Sequence, residues 1–413
     1  MSTAGTPRRR TTICLLLLGA LTLSGAAPSQ SPETIALEDA ISVAMERSPL
    51  LKAASSEIDA RRGERRSAGA IDPLELEAVP AGTFNDAPII VTQTLDVLGQ
   101  RSARSDVAQA QVVAQSAELD AATLSLRRAV SLAYIGLQAA IAGEMHARQS
   151  LEIRDSVYQI AGQRYDLGDV PEVHVWRTEI ARDRAQNEVT SAATATSIAG
   201  ARLATAIGRP DASLRPNEGL SLGEWPGYDL AELRDLAIES RPDLAALRAG
   251  AAAGRAAVAV ARRERRPDLA VQYRTGKREG SSGTQIGLGL SMPLVDWGQI
   301  SGSVKAARAT VASQEQTLAQ AELDAGLEVE EAYRQALSTR EIAESYSERI
   351  GARAERLAEV FQMSYERGGS TLLEVIDAEE TLTETQMSRV QATADHRSSL
   401  VELLHAVGGL LPE

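Results

Sequence analysis

The chain has 413 residues, and 56 acidic against 43 basic side chains give it a formal net charge of −13, so the basic footprint of a nucleic-acid binder is absent. Hydrophobic residues make up 44% of it but aromatic ones only 3%, and the apolar content is mostly Ala, Leu and Val. That composition suits long, closely approaching helices rather than a bulky globular core, and the single cysteine, Cys14, excludes a disulfide framework.

Arg8, Arg9 and Arg10 precede an uncharged, Leu-rich stretch from Thr11 to Leu23, followed by the small residues Ser24-Gly25-Ala26. This pattern predicts a secretory signal peptide over 1–26. The apolar run is short of the roughly 20 residues a permanent membrane helix needs, which leaves an uncleaved anchor as the competing reading. Cys14 lies at the start of the apolar run, not at its end, which argues against a lipid-modified N-terminus. Removal of 1–26 takes three arginines and no acid, so the exported chain carries −16.

The remainder is written twice. Leu37 through Pro49 is echoed by Leu230 through Pro242, Gly99-Gln100 by Gly298-Gln299, and Tyr134 by Tyr333. Tyr165-Asp166-Leu167-Gly168 returns as Tyr365-Glu366-Arg367-Gly368, and Ala206-Ile207-Gly208 as Ala406-Val407-Gly408. The offset drifts only from 193 to 200, as expected of a duplicated unit, and places one repeat over 27–215 and a second over 216–413. Each repeat reads as a short helix, two strands and two very long helices.

In the second repeat Ile286, Leu288, Leu290 and Met292 alternate with Gln285, Gly287, Gly289 and Ser291. Leu269, Val271 and Tyr273 alternate likewise with Ala270, Gln272 and Arg274, with a turn expected around Gly280-Ser281-Ser282-Gly283. The first repeat offers Leu74, Leu76 and Ala78 against Glu75 and Glu77, a turn region at Pro80-Ala81-Gly82, and the run Ile89 to Gln93. Four strands cannot close a barrel, and a sheet that spans lipid must close. Several chains must then pool strands, twelve for three copies, with apolar faces toward lipid and Glu75, Glu77, Gln272, Arg274, Gln285 and Ser291 toward a wet lumen. A small soluble four-stranded sheet packed on helices is the competing reading.

No proline interrupts Ser102 to Tyr165, and Val112, Ser116, Leu119, Thr123, Leu126, Val130, Ala133 and Leu137 recur at steps of four and three. This is a coiled-coil seam on a helix of roughly 95 Å. The span from Ser303 to Tyr365 is equally free of proline. Gly168 and Gly368 each fall between two helical patterns and mark hairpin tips.

In order of elements and in the residues at the turns, the chain from Leu37 to Gly408 resembles the TolC family of outer-membrane factors. The resemblance rests on the openings at Pro49 and Pro242, Gln93-Thr94-Leu95 before the first long helix, the tips Tyr165/Gly168 and Tyr365/Gly368, and the endings at Gly208 and Gly408. It implies a mainly α fold in which duplicated long-helix hairpins form a trimeric periplasmic α-barrel, and in which four β-strands per chain pool into a 12-stranded membrane β-barrel. The homotrimer would sit in outer-membrane lipid, and the tip residues Tyr165, Gly168, Tyr365 and Gly368 would meet a periplasmic adaptor that couples it to an inner-membrane pump. Leu98-Gly99-Gln100-Arg101 is similar to a segment of the heavy-metal-efflux (CzcC-like) branch, with Gln100 in place of the usual lysine.

Glu374 and Asp377 lie three apart just after the second tip and share a helix face. The resemblance places them at the family's acidic constriction, where threefold symmetry would make rings of six carboxylates that select cations electrostatically. An ordinary solvated helix face is the competing reading. Ser370 stands where some members carry a gate-locking arginine, with Arg367 nearby as a candidate substitute.

Nothing in the sequence calls for a catalytic site, a cofactor or a resident metal. His146, His174, His396 and His405 show no i, i+4 pairing, and neither a Gly-rich phosphate loop nor a Gly-x-Ser-x-Gly elbow is present. A soluble periplasmic coiled-coil scaffold is the second functional reading, though it leaves the alternating strand pairs unexplained. Metal efflux, drug efflux and type I protein secretion all remain open as transport roles.

Overall fold

The computed structural model describes residues 33–411 apart from 79–88, 97, 224, 226, 279–280 and 293–294; the expected signal over 1–26 and the turn at Pro80-Ala81-Gly82 lie outside the described residues. The first half runs β1 (Glu33–Ile35), α1 (Leu37–Arg47), α2 (Pro49–Ala68), β2 (Glu75–Ala78), β3 (Ile89–Leu95), α3 (Gln100–Asp166) and α4 (Glu172–Ala206). After β4 (Leu214–Pro216) the order returns as α5 (Leu230–Ser240), α6 (Pro242–Arg263), β5 (Asp268–Arg278), β6 (Ser281–Ser291), α7 (Gln299–Glu344), a π-turn (Ser345–Ile350), α8 (Gly351–Glu366) and α9 (Leu372–Val407).

Where the sequence predicts one short helix ahead of each strand pair, the structure has two. Pro49 and Pro242 each open a helix, and the ring of a proline disfavours helical geometry in the residue before it. Ser48 and Arg241 accordingly sit at ψ 119° and 122° and break the chain into α1–α2 and α5–α6. The second strand hairpin is also longer than expected: Ser281, Ser282 and Gly283 pair with Arg278, Lys277 and Gly276 instead of forming the turn, because cross-strand bonding overrides a loop-like composition. Sequence periodicity held no sign of the short parallel pair β1–β4, nor of the π-turn that interrupts the second long helix.

Two equivalent cores anchor the halves. Ile41, Ala44, Val130, Tyr134, Leu203 and Ile207 form the first, and Leu233, Ala237, Val329, Ala336, Leu403 and Val407 the second. Within them the Tyr134 hydroxyl donates to Ile35 O at 3.2 Å and the Tyr333 hydroxyl to Tyr228 O at 3.1 Å, each acceptor lying two residues ahead of α1 or α5. The expected seam on α3 is half-buried at Val112 to Leu126 and buried at Val130 and Leu137. Toward the tip a second buried stripe, shifted in phase, runs through Gly143, Ala147, Ser150, Arg154, Val157 and Ala161 at steps of four and three along the part of α3 that meets α9. Small residues in that seam let α3 of one half lie close to α9 of the other. Alanine-rich α6 is long and apolar enough to cross a membrane, but it packs along α3 and α7.

Candidate functional site: sheet faces, hairpin tips and an acidic helix face

The strands β2, β3, β5 and β6 form one antiparallel sheet in that order, which leaves β2 and β6 as edges. Its register pairs Leu76 with Val91, Val91 with Tyr273, Tyr273 with Ile286, Val271 with Leu288 and Leu269 with Leu290. Since directly opposed residues share a face, these side chains make one continuous apolar surface, interrupted by Gln93. The other face carries Glu75, Glu77, Thr92, Gln272, Arg274, Gln285, Gly287 and Ser291. Within the protomer the apolar face is bare: Ile286 and Leu288 are each 76% exposed and Leu290 66%. Trp297, just beyond β6, is exposed as well.

From the sheet the chain enters each long helix through a carboxylate cap. Asp96 accepts the backbone N–H groups of Gln100 and Arg101, and Asp296 those of Ile300 and Ser301. Gln100, the residue that departs from the expected lysine, donates through Nε2 to Arg263 O at 3.3 Å, and Arg266 donates to Leu98 O. The segment Leu98 to Arg101 is thus tied to the end of α6.

At the opposite end the two hairpin tips share one bonding pattern. Gly168 N–H donates to Tyr165 O at 2.9 Å and Asp169 N–H to Arg164 O at 2.9 Å; Gly368 and Gly369 do the same to Tyr365 O and Ser364 O at 3.0 and 2.8 Å. Gly168 and Gly368 have φ of 78° and 77°, the left-handed conformation that only glycine adopts without cost. The two tyrosines, however, differ. Tyr165 is 42% exposed, whereas Tyr365 is 2% exposed and packs with Val157, Leu372 and Val375 beneath the tip, with Arg164 5.0 Å above its ring. The sequence motif is the same in both tips; the difference comes from the α3–α9 seam, into which only Tyr365 points.

The expected acidic pair opens α9. Thr371 and Glu374 form a capping box: Thr371 N–H donates to Glu374 Oε2 at 2.8 Å and Glu374 N–H to Thr371 Oγ1 at 3.4 Å. The Thr371 backbone N–H, and the Thr371 hydroxyl donating to the same Oε2 at 2.9 Å, hold the Glu374 carboxyl below the usual range. Asp377 is exposed beside it, and Glu380 and Glu384 extend the same exposed face by one and two turns. The last two were legible in the spacing 377, 380, 384 but were not singled out. Ser370 donates to Phe361 O at 3.1 Å, so its hydroxyl stitches the tip internally, and Arg367 makes no ion pair among the described residues of the protomer.

A sheet with a bare apolar face, joined through capped helix starts to two hairpins of this length, is an architecture that can be compared as a whole. The chain matches the description of outer membrane efflux proteins over residues 40–209 and 233–409. It belongs to that family. Among its relatives is the cobalt-zinc-cadmium resistance protein CzcC of Cupriavidus metallidurans, 24% identical over 370 residues and covering 87% of each chain. The fold is similar to that of the outer membrane protein VceC of Vibrio cholerae, with a TM-score of 0.76 and 21% identity over 90% of this chain and 96% of that one. It is equally similar to the open state of the Neisseria gonorrhoeae MtrE outer membrane channel, with a TM-score of 0.76 and 20% identity over 90% and 89%.

Members of the outer membrane efflux family are channels, not enzymes, and this chain is accordingly a transport protein of the outer membrane. Among the described residues no three His, Cys, Asp or Glu side chains converge as metal ligands. One titratable residue that sequence reading passed over stands out in the α3–α9 seam. Glu379 is buried beside Arg154, Val157, Thr178 and Val375, and its burial pushes the carboxyl from the usual 4.5 up to about 7 against the opposing pull of Arg154. Nothing in the sequence near Glu379 distinguished it from the exposed acids on either side.

Proposed function

We propose that this channel is the outer-membrane conduit of a tripartite efflux system, a homotrimer that passively exports what an inner-membrane pump delivers through a periplasmic adaptor. The signal over 1–26 directs export, and the repeats over 27–215 and 216–413 supply one long hairpin each to a periplasmic α-barrel. The observation that carries the reading is the four-stranded sheet, which among the described residues has one uncovered apolar face and two free edges. Such a sheet is stable in lipid only when its edges are paired, and two further copies pair them while giving twelve strands. A soluble scaffold would leave that apolar face in water.

The tips at Tyr165, Gly168 and Gly368 offer the contact surface to the adaptor, with Tyr365 supporting the second tip from within. Glu374 and Asp377 form the lumen gate, and Glu380 and Glu384 continue its acidic lining. A divalent metal cation is the cargo that best suits such a lining, and the likeness to a cobalt-zinc-cadmium resistance protein supports it.

The test is reversal-potential measurement in planar bilayers on wild type and on Glu374→Gln/Asp377→Asn, substitutions that remove charge while the introduced glutamine still completes the capping box with Thr371. We expect cation-selective conductance in wild type and a clear loss of selectivity in the variant. Selectivity unchanged by the variant discards the gate and keeps the channel; a protein that is soluble without detergent and does not conduct returns the scaffold.

A further inference from the structure

The two long struts of this duplicated chain differ by one residue. The first, α3, is an uninterrupted α-helix of 67 residues, whereas the second consists of α7, the π-turn and α8, with 46, 6 and 16. Their starts correspond at an offset of 199, as Gly99 and Gly298 are both left-handed N-caps, and Tyr134 and Tyr333 keep that offset through their matching hydroxyl bonds. At the tips the matched bonds from Gly168 and Gly368 stand at an offset of 200. The additional residue therefore lies between Tyr333 and Tyr365, and Ser345–Ile350 is where that span leaves α geometry.

A π-turn is how a helix absorbs one inserted residue. In a continuous α-helix the insertion would rotate everything beyond it by about 100°, and Tyr365 would leave the seam it fills. Gly351 closes the turn: its N–H donates to Tyr346 O, five residues back, and a Cβ there would lie 2.8 Å from that oxygen.

Register repair alone does not explain where the insertion sits. None of the six residues of the turn is buried, while at the same level on α3 His146, Ala147 and Ser150 are buried in the seam. On the sheet side α7 is anchored by Val329 and Ala336 in the second core, and on the tip side Ala354 and Ala358 of α8 pack on Leu382 of α9. The turn thus lies between two packed blocks and contributes no buried residue to either, the condition under which a segment opens most readily.

We propose that Ser345–Ile350 is a built-in joint at which the tip half of the second hairpin bends relative to its core, while the unbroken first strut stays rigid. Its use in changing the periplasmic aperture rests on the channel reading; the joint itself does not. Single spin labels at Glu366→Cys and Asp166→Cys, matched positions on the two tips, report inter-copy distance distributions in the detergent-extracted protein. The joint predicts a broader distribution at 366 than at 166, narrowing to the width at 166 when Ser347 is deleted and the strut reverts to 67 residues. Equal widths in the wild-type background, or a width at 366 unchanged by the deletion, overturn it.

Should the deletion variant fail to assemble, amide hydrogen exchange on wild type decides: we expect residues 346–351 to exchange on the order of tenfold or more faster than 146–150, and equal protection overturns the joint. Bilayer conductance of the same wild-type preparation is read in parallel. A non-conducting protein with a mobile second tip retains the joint and removes the channel reading; a conducting protein with equal tips does the reverse.

Discussion

Two buried tyrosines show how differently one residue type is used. The Tyr134 hydroxyl donates to Ile35 O and bonds Asn217 Oδ1 at 2.9 Å, while the buried Tyr365 hydroxyl has no partner among the described residues. Removing a satisfied hydroxyl leaves acceptors stranded, whereas removing an unsatisfied one relieves desolvation. Tyr134→Phe should therefore cost about 1 kcal/mol and Tyr365→Phe should leave stability unchanged or raised, as read from denaturant midpoints. Glu379 adds a pH dependence. Its folded-state pKa of about 7 exceeds the usual 4.5, so the ionised form opposes folding above about 7 and that cost disappears as pH falls toward 4.5. Melting temperature should rise over that window in wild type, and Glu379→Gln should flatten that rise; an unchanged slope in the variant assigns the dependence to other groups.

The elements were legible in the sequence to the extent that periodicity alone forms them. Alternation at Leu269 to Arg274 and Gln285 to Met292 marked both faces of the sheet, because side chains on a strand have a period of two whatever the register. The long helices followed from the seam on the first and from the lack of proline in both. Features set by contact between distant segments were not legible: the β1–β4 pair, the extension of β6 through Ser281, and the burial of Tyr365 but not Tyr165 all depend on partners remote in sequence. The acidic pair was visible as spacing, yet its division into a capping residue, Glu374, and a free one, Asp377, required the backbone around Thr371. The sheet supplies its own test. Leu288→Arg, on the bare apolar face, should destabilise the membrane-inserted protein by about 2–4 kcal/mol, whereas Gln285→Arg, on the polar face, should be tolerated. Comparing the unfolding midpoints of both variants in lipid checks the assignment of faces, and equal losses would reverse or void it.

At the scale of the whole molecule, one protomer is an incomplete object. Among the described residues its sheet has two unpaired edges and an uncovered apolar face, and Val173, Trp176 and Ile180 on α4 and Leu357, Val360 and Met363 on α8 leave further apolar stripes exposed. Surfaces of this kind mark contacts with lipid or with other chains. The interlock of α3 with α9 makes each protomer a single wall segment in which neither hairpin stands alone, and a closed ring of such segments satisfies helix stripes and strand edges at once. The measurement that bears most directly on this account is the native mass of the detergent-extracted protein. The account predicts a mass of three chains that persists on dilution; a one-chain mass in detergent, or release into buffer without detergent, would contradict it.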